Sequence, residues 1–376
     1  MNILWMSWKD RWHPQAGGAE TVSGEIMDRL IVNGHSVIHI TAEYPNSKPE
    51  ETLRGITILR MGNRFTVYRK ARTYYKKHLS EWPDVIIDEM NTIPFGTGYI
   101  DRQKSILLCY QLAREVWLYQ MFPPFSWLGY ISEPFMLRSM SKKYSLVLTE
   151  SNSTKIDMTR YGFRNIRVFR VGMAQKALTR LTEKKSTNTI LSLGSMRPMK
   201  RTLDSVKAFE VARDQIPELT MVIAGDNSGN YAKKVMHYIE QSRHASAIQV
   251  LGRVTNEQRL KVMRDAALII VTSLKEGWGL IITEANSQGT PAIGYDTDGL
   301  RDSIKDKKTG LLSPDGDFTT AGHNIVNLLS HPKKYDKLRQ EAWKWSKEFT
   351  FDNSYLDFVT IIEGAPLKKT TKERTQ

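Results

Sequence analysis

The chain holds one cysteine, Cys109, so no disulfide can form within it, and this points to a reducing, cytosolic setting. No apolar run approaches the roughly 20 residues that a bilayer-spanning helix needs, which argues against a membrane span. The opening stretch MNILWMSWKD enters a strand pattern at once, without the basic start, long apolar segment and small-residue cleavage site of a signal peptide. None of the eight histidines has metal-ligand spacing to another or to Cys109, so no metal site is expected, and nothing calls for a cofactor. The pattern G-x-G-x-x-G directly after a strand is also missing, which speaks against a dinucleotide site even though Glu43 follows the second strand.

Positive charge is abundant. The formal net charge is +14, and residues up to Gly172 carry the same excess as those after it. Neither half is therefore a dedicated basic domain. A negatively charged partner follows, and nucleic acid, anionic lipid and phosphorylated substrates all qualify on charge alone.

A length of 376 residues suits two cores. The segments NILWM, HSVIHIT, ITILR, DVIID, SILLCY, SLVLT and IRVFRVG read as buried strands, with helical or irregular segments between them. AETVSGEIMDRLIVNG has helical apolar spacing and stops at Gly34. A polar stretch over roughly 173–188 reads as a linker. A second series of strands follows, TILSLGS, LTMVIAGD, AIQVLGR, ALIIVTS and TPAIGYD, and TNEQRLKVMRDA opens with a Thr255/Gln258 capping box. This alternation predicts an α/β chain with two open parallel sheets, domains over 1–172 and 173–351, and a site in the cleft between them. The spacing predicts a final helix over about 352–364 that packs back on the first domain. The basic tail 365–376 is expected to be disordered.

The stretch KEGWGLIITEANSQGTPAI, 275–293, carries the most chemistry. After the strand ALIIVTS, residues 274–279 form the loop at its carboxyl end, and a helix begins near Leu280. Gly277 and Gly279 let a ligand approach the backbone, and the unpaired N–H groups of a helix start favour an anion such as a diphosphate. Glu284 lies about one turn inside, where its carboxylate reaches toward the loop and can accept hydrogen bonds from ribose hydroxyls. Glu276 lies on the loop and faces whatever the diphosphate carries. RWHPQAGGAETVSGEI offers a second helix start, with Gly17 and Gly18 leaving room for phosphate or acceptor and Glu20 in the first turn. His13 beside it either contacts the acceptor or is structural.

The E-x7-E spacing from Glu276 to Glu284, set in E-G-x-G-L and followed by GTPAIG, resembles the signature of family 4 of the retaining nucleotide-sugar glycosyltransferases. GGAE at 17–20, SLGSMRPMKRTLDSVKAFE and VLGRV follow in that family's order. The resemblance implies a GT-B architecture of two Rossmann-like domains, with the donor held mainly by the second. It implies that Glu276 contacts the transferred sugar, Glu284 the ribose and Lys200 the diphosphate. Ser195 stands where the family has an arginine, and Arg197 is close enough to substitute. Gly277, Trp278, Gly279 and Leu280 fall on the donor loop, Arg253 and Val254 on the base-contacting loop, and Gly17 and Gly18 on the opposite wall. The family's N-terminal histidine has no clear counterpart. Asp88 and Glu89 are candidates for a base, with polar loop residues the favoured reading.

Two further segments bear on the acceptor. NRFTVYRKARTYYKKHLSEW, 63–82, reads as a basic amphipathic helix, and EVWLYQMFPPFSWLGYISEPFMLRSMSKKY, 115–144, is unusually aromatic for a loop region. Together they read as a membrane-facing surface. The sequence thus predicts a retaining hexosyltransferase, cytoplasmic and peripheral at the inner membrane face, moving a sugar from a nucleotide-diphosphate sugar to a glycolipid, lipid-linked saccharide or related acceptor. A nucleotide-sugar epimerase or hydrolase of the same fold is the alternative. A basic nucleic-acid-binding protein is the alternative of another class, and it leaves the glutamate pair unexplained.

Overall fold

The computed structural model describes residues 1–182 and 188–365, so the end of the expected linker and nearly all of the basic tail lie outside the described residues. The chain divides into two compact units, Met1–Gly172 joined by the stretch from Phe351 onward, and Met173–Thr350.

The first unit is built on an eight-stranded sheet of β1 (Asn2–Met6), β2 (Ser36–Thr41), β3 (Glu50–Leu53), β4 (Ile56–Arg60), β5 (Val85–Met90), β6 (Ser105–Cys109), β7 (Leu146–Thr149) and β8 (Ile166–Val168). The strand order is β3-β4-β2-β1-β5-β6-β7-β8, parallel except for the β3–β4 pair. The central strands are near-continuous runs of Ile, Leu and Val because helices cover both faces of a parallel sheet. β3 does not stand out in the sequence as a strand. It is joined to β4 by Arg54 and Gly55, both at positive φ, the backbone that a two-residue hairpin turn requires.

The helix Phe351–Glu363 belongs to this unit. Phe358 stacks on Trp5 of β1 with ring centroids 5.5 Å apart, and Arg170 donates to both carboxylate oxygens of Asp357 at 2.7 Å. Gly172 has no room for a side chain, since an added Cβ would lie 2.5 Å from Phe351.

The second unit carries β9 (Thr189–Leu193), β10 (Thr220–Ala224), β11 (Ile248–Gly252), β12 (Leu268–Val271), β13 (Ala292–Tyr295) and β14 (Gly310–Ser313). Their order, β11-β10-β9-β12-β13-β14, is that of a dinucleotide-binding sheet, and the direction of winding reverses between β9 and β12. Residues 173–182 are not a free linker. Leu178 donates its N–H to Ser287 and accepts from the Trp343 ring nitrogen, and Thr182 accepts from Arg339. This polar stretch lacks periodicity because its backbone bonds are made to the helices Leu280–Ser287 and Pro332–Ser346 rather than within itself.

Segment 115–144 is also corrected. It is helical over Val116–Gln120 and Phe125–Met140, not a loop region.

Candidate functional site

The winding of the second sheet reverses between β9 and β12, so the loops beyond their carboxyl ends flank the crevice where ligands of such sheets bind. The backbones there run very close. Gly194 and Gly225 have φ of +139 and +140, and a Cβ on Gly225 would sit 2.0 Å from the Gly194 carbonyl oxygen. A Cβ on Gly194 itself would meet nothing within 4 Å, so the residue after β9 presents bare backbone on its open side.

From there the chain makes the short turn Pro198–Lys200 and enters the helix Thr202–Arg213. Bonds to the end of β12 tie this turn in place: Leu274 N–H donates to Met199 O at 2.8 Å, and Thr272 Oγ1 is shared between Arg201 O at 2.9 Å and Lys200 O at 3.3 Å. On the other side the loop after β12 is held by Glu276 N–H donating to Asp298 O at 3.0 Å, and by the Lys275–Asp298 ion pair at 3.0 Å. Gly299 must be glycine here, because its φ is +79 and a Cβ would lie 2.3 Å from the Glu276 carbonyl oxygen. Fixed from both sides, Lys200 and Glu276 meet in a direct ion pair.

The same loop ends at Gly279, the left-handed N-cap of the helix Leu280–Ser287, with φ +90. Leu280 and Gly277 are half-buried. The Trp278 ring turns into the core instead and packs on Phe349 and Trp345 with centroids 5.0 and 6.1 Å away. Trp278 therefore anchors the loop, and what it can offer a ligand is its backbone.

Glu284 lies one turn into this helix and is buried. Arg259, on the helix Asn256–Asp265, pairs with it. The Gln175 amide, oriented to satisfy both neighbours, donates to the other Glu284 oxygen at 2.7 Å and accepts from Arg259 at 3.3 Å. Burial pushes the Glu284 carboxyl up to about 7, with Arg259 pulling the other way. Sequence reasoning missed both partners. Arg259 carries no motif of its own and Gln175 was assigned to the linker, so only the tertiary fold brings them to Glu284.

Other candidate residues lie around this cluster or apart from it. Arg197 is exposed and forms no ion pair with another described residue. Arg253 is exposed and donates to Asp226 at 2.9 Å, while Val254 is half-buried against the core. In the first unit, Gly17 caps the helix Gly18–Val32, and its N–H donates to Glu20 at 2.6 Å. Lys9 pairs with Glu20 at 3.1 Å. A side-chain carboxylate thus already occupies part of that helix start. His13 is wedged edge-on against Trp8 and Tyr44, which favours the structural reading.

Asp88 and Glu89 are neither loop residues nor exposed bases, since both lie within β5 and are buried. Asp88 accepts from the N–H groups of Phe95 and Thr97 and from the hydroxyls of Thr97 and Tyr144. Glu89 accepts from the Trp5 ring at 2.8 Å and Ser23 at 2.7 Å, and burial raises its carboxyl to about 8. A folded-state value above the unfolded one means that stability is lost as pH rises from about 4.5 toward about 8. Glu89→Gln keeps both accepted bonds and removes the titration. Its urea-unfolding free energy is expected to exceed that of the wild type by a few kcal/mol near pH 9 and to match it near pH 5.

Residues 175–345 match the family model described as glycosyl transferases group 1. A D-inositol 3-phosphate glycosyltransferase from Jonesia denitrificans is 28% identical over 181 residues, which are 47% of this chain and 43% of that protein. The chain therefore spans less than half the length of that relative. Sucrose-phosphate synthase from Thermosynechococcus elongatus superposes with a TM-score of 0.77 at 17% identity, covering 96% of this chain and 98% of that one. HepE from Anabaena, solved in complex with UDP-glucose, superposes with a TM-score of 0.72 at 15% identity, covering 96% and 99%. The fold is GT-B.

Proposed function

We propose, from a GT-B fold whose C-terminal unit belongs to the glycosyl transferases group 1 family, that this protein is a retaining hexosyltransferase using a nucleotide-diphosphate sugar. One observation carries the reading. Lys200 and Glu276, 76 positions apart in sequence, are joined beyond the carboxyl ends of adjacent strands, beside a glycine-bearing helix start with Glu284 one turn inside it.

In this reading the diphosphate rests on the N–H groups around Gly277, Gly279 and Leu280, and Lys200 takes the charge that grows on it as the glycosidic phosphate bond breaks. Glu276 exchanges its lysine partner for hydroxyls of the transferred sugar. Glu284 accepts from the ribose, Arg253 and Val254 border the base, and Gly17 and Gly18 border the acceptor. The bond from the anomeric carbon to the diphosphate oxygen breaks, and the acceptor oxygen bonds to that carbon on the same face. Its proton passes to the departing phosphate, so no protein nucleophile is required. Arg197 stands ready as a second cation.

For the acceptor we favour a glycolipid or lipid-linked saccharide at the cytosolic face of a membrane. A groove of about 630 Å³ in the first unit supports this, because Arg69, Lys70, Lys77 and His78 line it and suit an anionic group. No helix among the described residues is long and apolar enough to cross a membrane, so a lipid-borne acceptor would be met at the surface.

Thermal-shift screening against UDP, GDP, ADP and TDP and their sugars tests the donor site. At about 100 times its Kd, the right diphosphate adds roughly 2.7 kcal/mol of stability. A panel that leaves the melting temperature unmoved sinks the proposal.

A further inference from the structure

The helix Phe125–Met140 of the first unit is inverted in its amphipathicity. Its buried positions are Ser126, Gly129, Glu133, Leu137 and Met140, three of them small or charged. Glu133 is satisfied beneath it, accepting from the backbone N–H groups of Ala113 and Arg114 and from the Trp117 ring nitrogen. Gly129 is required by Trp117, whose ring would lie 2.4 Å from an added Cβ. The helix is therefore firmly seated, and the seating fixes which residues point outward.

Those residues are large and apolar. Leu128, Ile131 and Phe135 follow one another at helical spacing and are 66%, 62% and 67% exposed, with Trp127 beside them at 59%. Phe122 and Phe125, at the helix entry, are exposed as well. Ordinary surface helices place such residues inward, and a contiguous outward stripe marks a contact surface.

The charge around the stripe says what it contacts. Arg138 continues the stripe by one helical step, and Lys142 and Lys143 follow it, all three exposed. Lys143 lies over the ring of Tyr99 at 5.4 Å, and the Tyr99 hydroxyl bonds Ser139 at 2.9 Å. Arg72, from the basic helix Val67–Tyr74, reaches the same corner beside Gly96 and Tyr99. Apolar side chains flanked by exposed cations and half-exposed aromatics form the pattern that lies in a bilayer interface, with the cations at the headgroups.

We infer that the outward stripe Leu128, Ile131 and Phe135, with Trp127 and Phe125, inserts into the interface of an anionic bilayer while Arg138, Lys142, Lys143 and Arg72 bind its headgroups. This deepens the proposed acceptor reading by naming the surface that meets the lipid. It is measured without donor, so its failure is separate from failure of the donor site.

The test uses the full chain with vesicles of phosphatidylcholine alone and of phosphatidylcholine containing about one third phosphatidylglycerol. Wild type is expected to cosediment with the anionic vesicles. Leu128→Ser, Ile131→Ser and Phe135→Ser combined should weaken this roughly 100-fold. Lys142→Glu with Lys143→Glu should weaken it roughly tenfold or more and only on anionic vesicles. Because Cys109 is buried, an environment-sensitive dye on Leu128→Cys reports insertion by a blue shift that appears with anionic vesicles. Each variant must keep the wild-type melting temperature and far-UV circular dichroism, which shows that the fold is intact independently of the donor site; a variant that loses them is replaced by single serine substitutions. Unchanged sedimentation of the triple variant, or no blue shift, overturns the inference. So does a wild-type dimer that the triple variant converts to monomer, because a second copy then covers the stripe.

Discussion

Lys200→Ala is expected to lower the rate of sugar transfer by about 10²–10³, with a much smaller effect on binding of the intact donor. The asymmetry comes from where charge changes during the reaction. The diphosphate is already anionic in the ground state, and bond cleavage adds negative charge at the oxygen that leaves. A fixed cation beside that oxygen gains most in the transition state. Lys200 meets the requirement of being fixed, because its turn is tied to β12 through Met199 and Arg201 and its ammonium is opposed by Glu276. Arg197→Ala should reduce the rate only severalfold, since the side chain is exposed and no ion pair with another described residue holds it in one place. Glu276→Gln removes the lysine's ionic partner and, in the proposed site, weakens a sugar contact as well. A double-mutant cycle over Lys200 and Glu276 should therefore show strong non-additivity. A rate loss below tenfold for Lys200→Ala, accompanied by a larger loss for Arg197→Ala, would move the leaving-group role to the arginine.

Much of this site could be read from the chain because its parts are local. The strand before Thr272, the two glycines and the glutamates at 276 and 284 lie within one βα unit, where period and turn chemistry fix the geometry. The union of Lys200 with Glu276 was legible only through order along the chain, since nothing in composition pairs residues so far apart. What could not be read has definite causes. β3 is four residues of mixed polarity whose strand character comes from pairing with β4. Gln175 lies in a stretch without periodicity, and its role is set by the buried helix beneath it. Asp88 and Glu89 looked exposed because carboxylates usually are. Four donors around Asp88 and two around Glu89 account for their place inside β5. The helix Phe125–Met140 was not legible because apolar residues lie on both its faces, Leu137 and Met140 inward and Leu128, Ile131 and Phe135 outward, so no single stripe stands out, and because Pro134 interrupts it.

Glu284→Gln should separate donor affinity from stability. The buried carboxyl titrates near 7, so the folded chain holds its proton over a window, about 4.5 to about 7, in which the unfolded chain has lost it. Stability therefore falls as pH rises through that window, by about 3 kcal/mol for the full shift. A glutamine removes this term, and its unfolding free energy should exceed that of the wild type at pH values above the window. Donor affinity should nevertheless fall about 10- to 100-fold if Glu284 holds the ribose as proposed, because an ionised acceptor of its hydroxyls becomes a neutral amide. Arg259→Ala is expected to act in the opposite direction on stability. Without its guanidinium partner the Glu284 carboxylate is harder to ionise, the window extends upward, and the variant loses stability at alkaline pH while staying close to the wild type at acid pH. Wild-type donor affinity, measured by calorimetry, should rise as pH increases through about 7, and the Glu284→Gln variant should bind with the same weaker affinity throughout. If wild-type affinity shows no pH dependence around 7, or if the glutamine variant binds as the wild type does, the ribose is held elsewhere and the buried Glu284–Arg259 pair serves the fold alone.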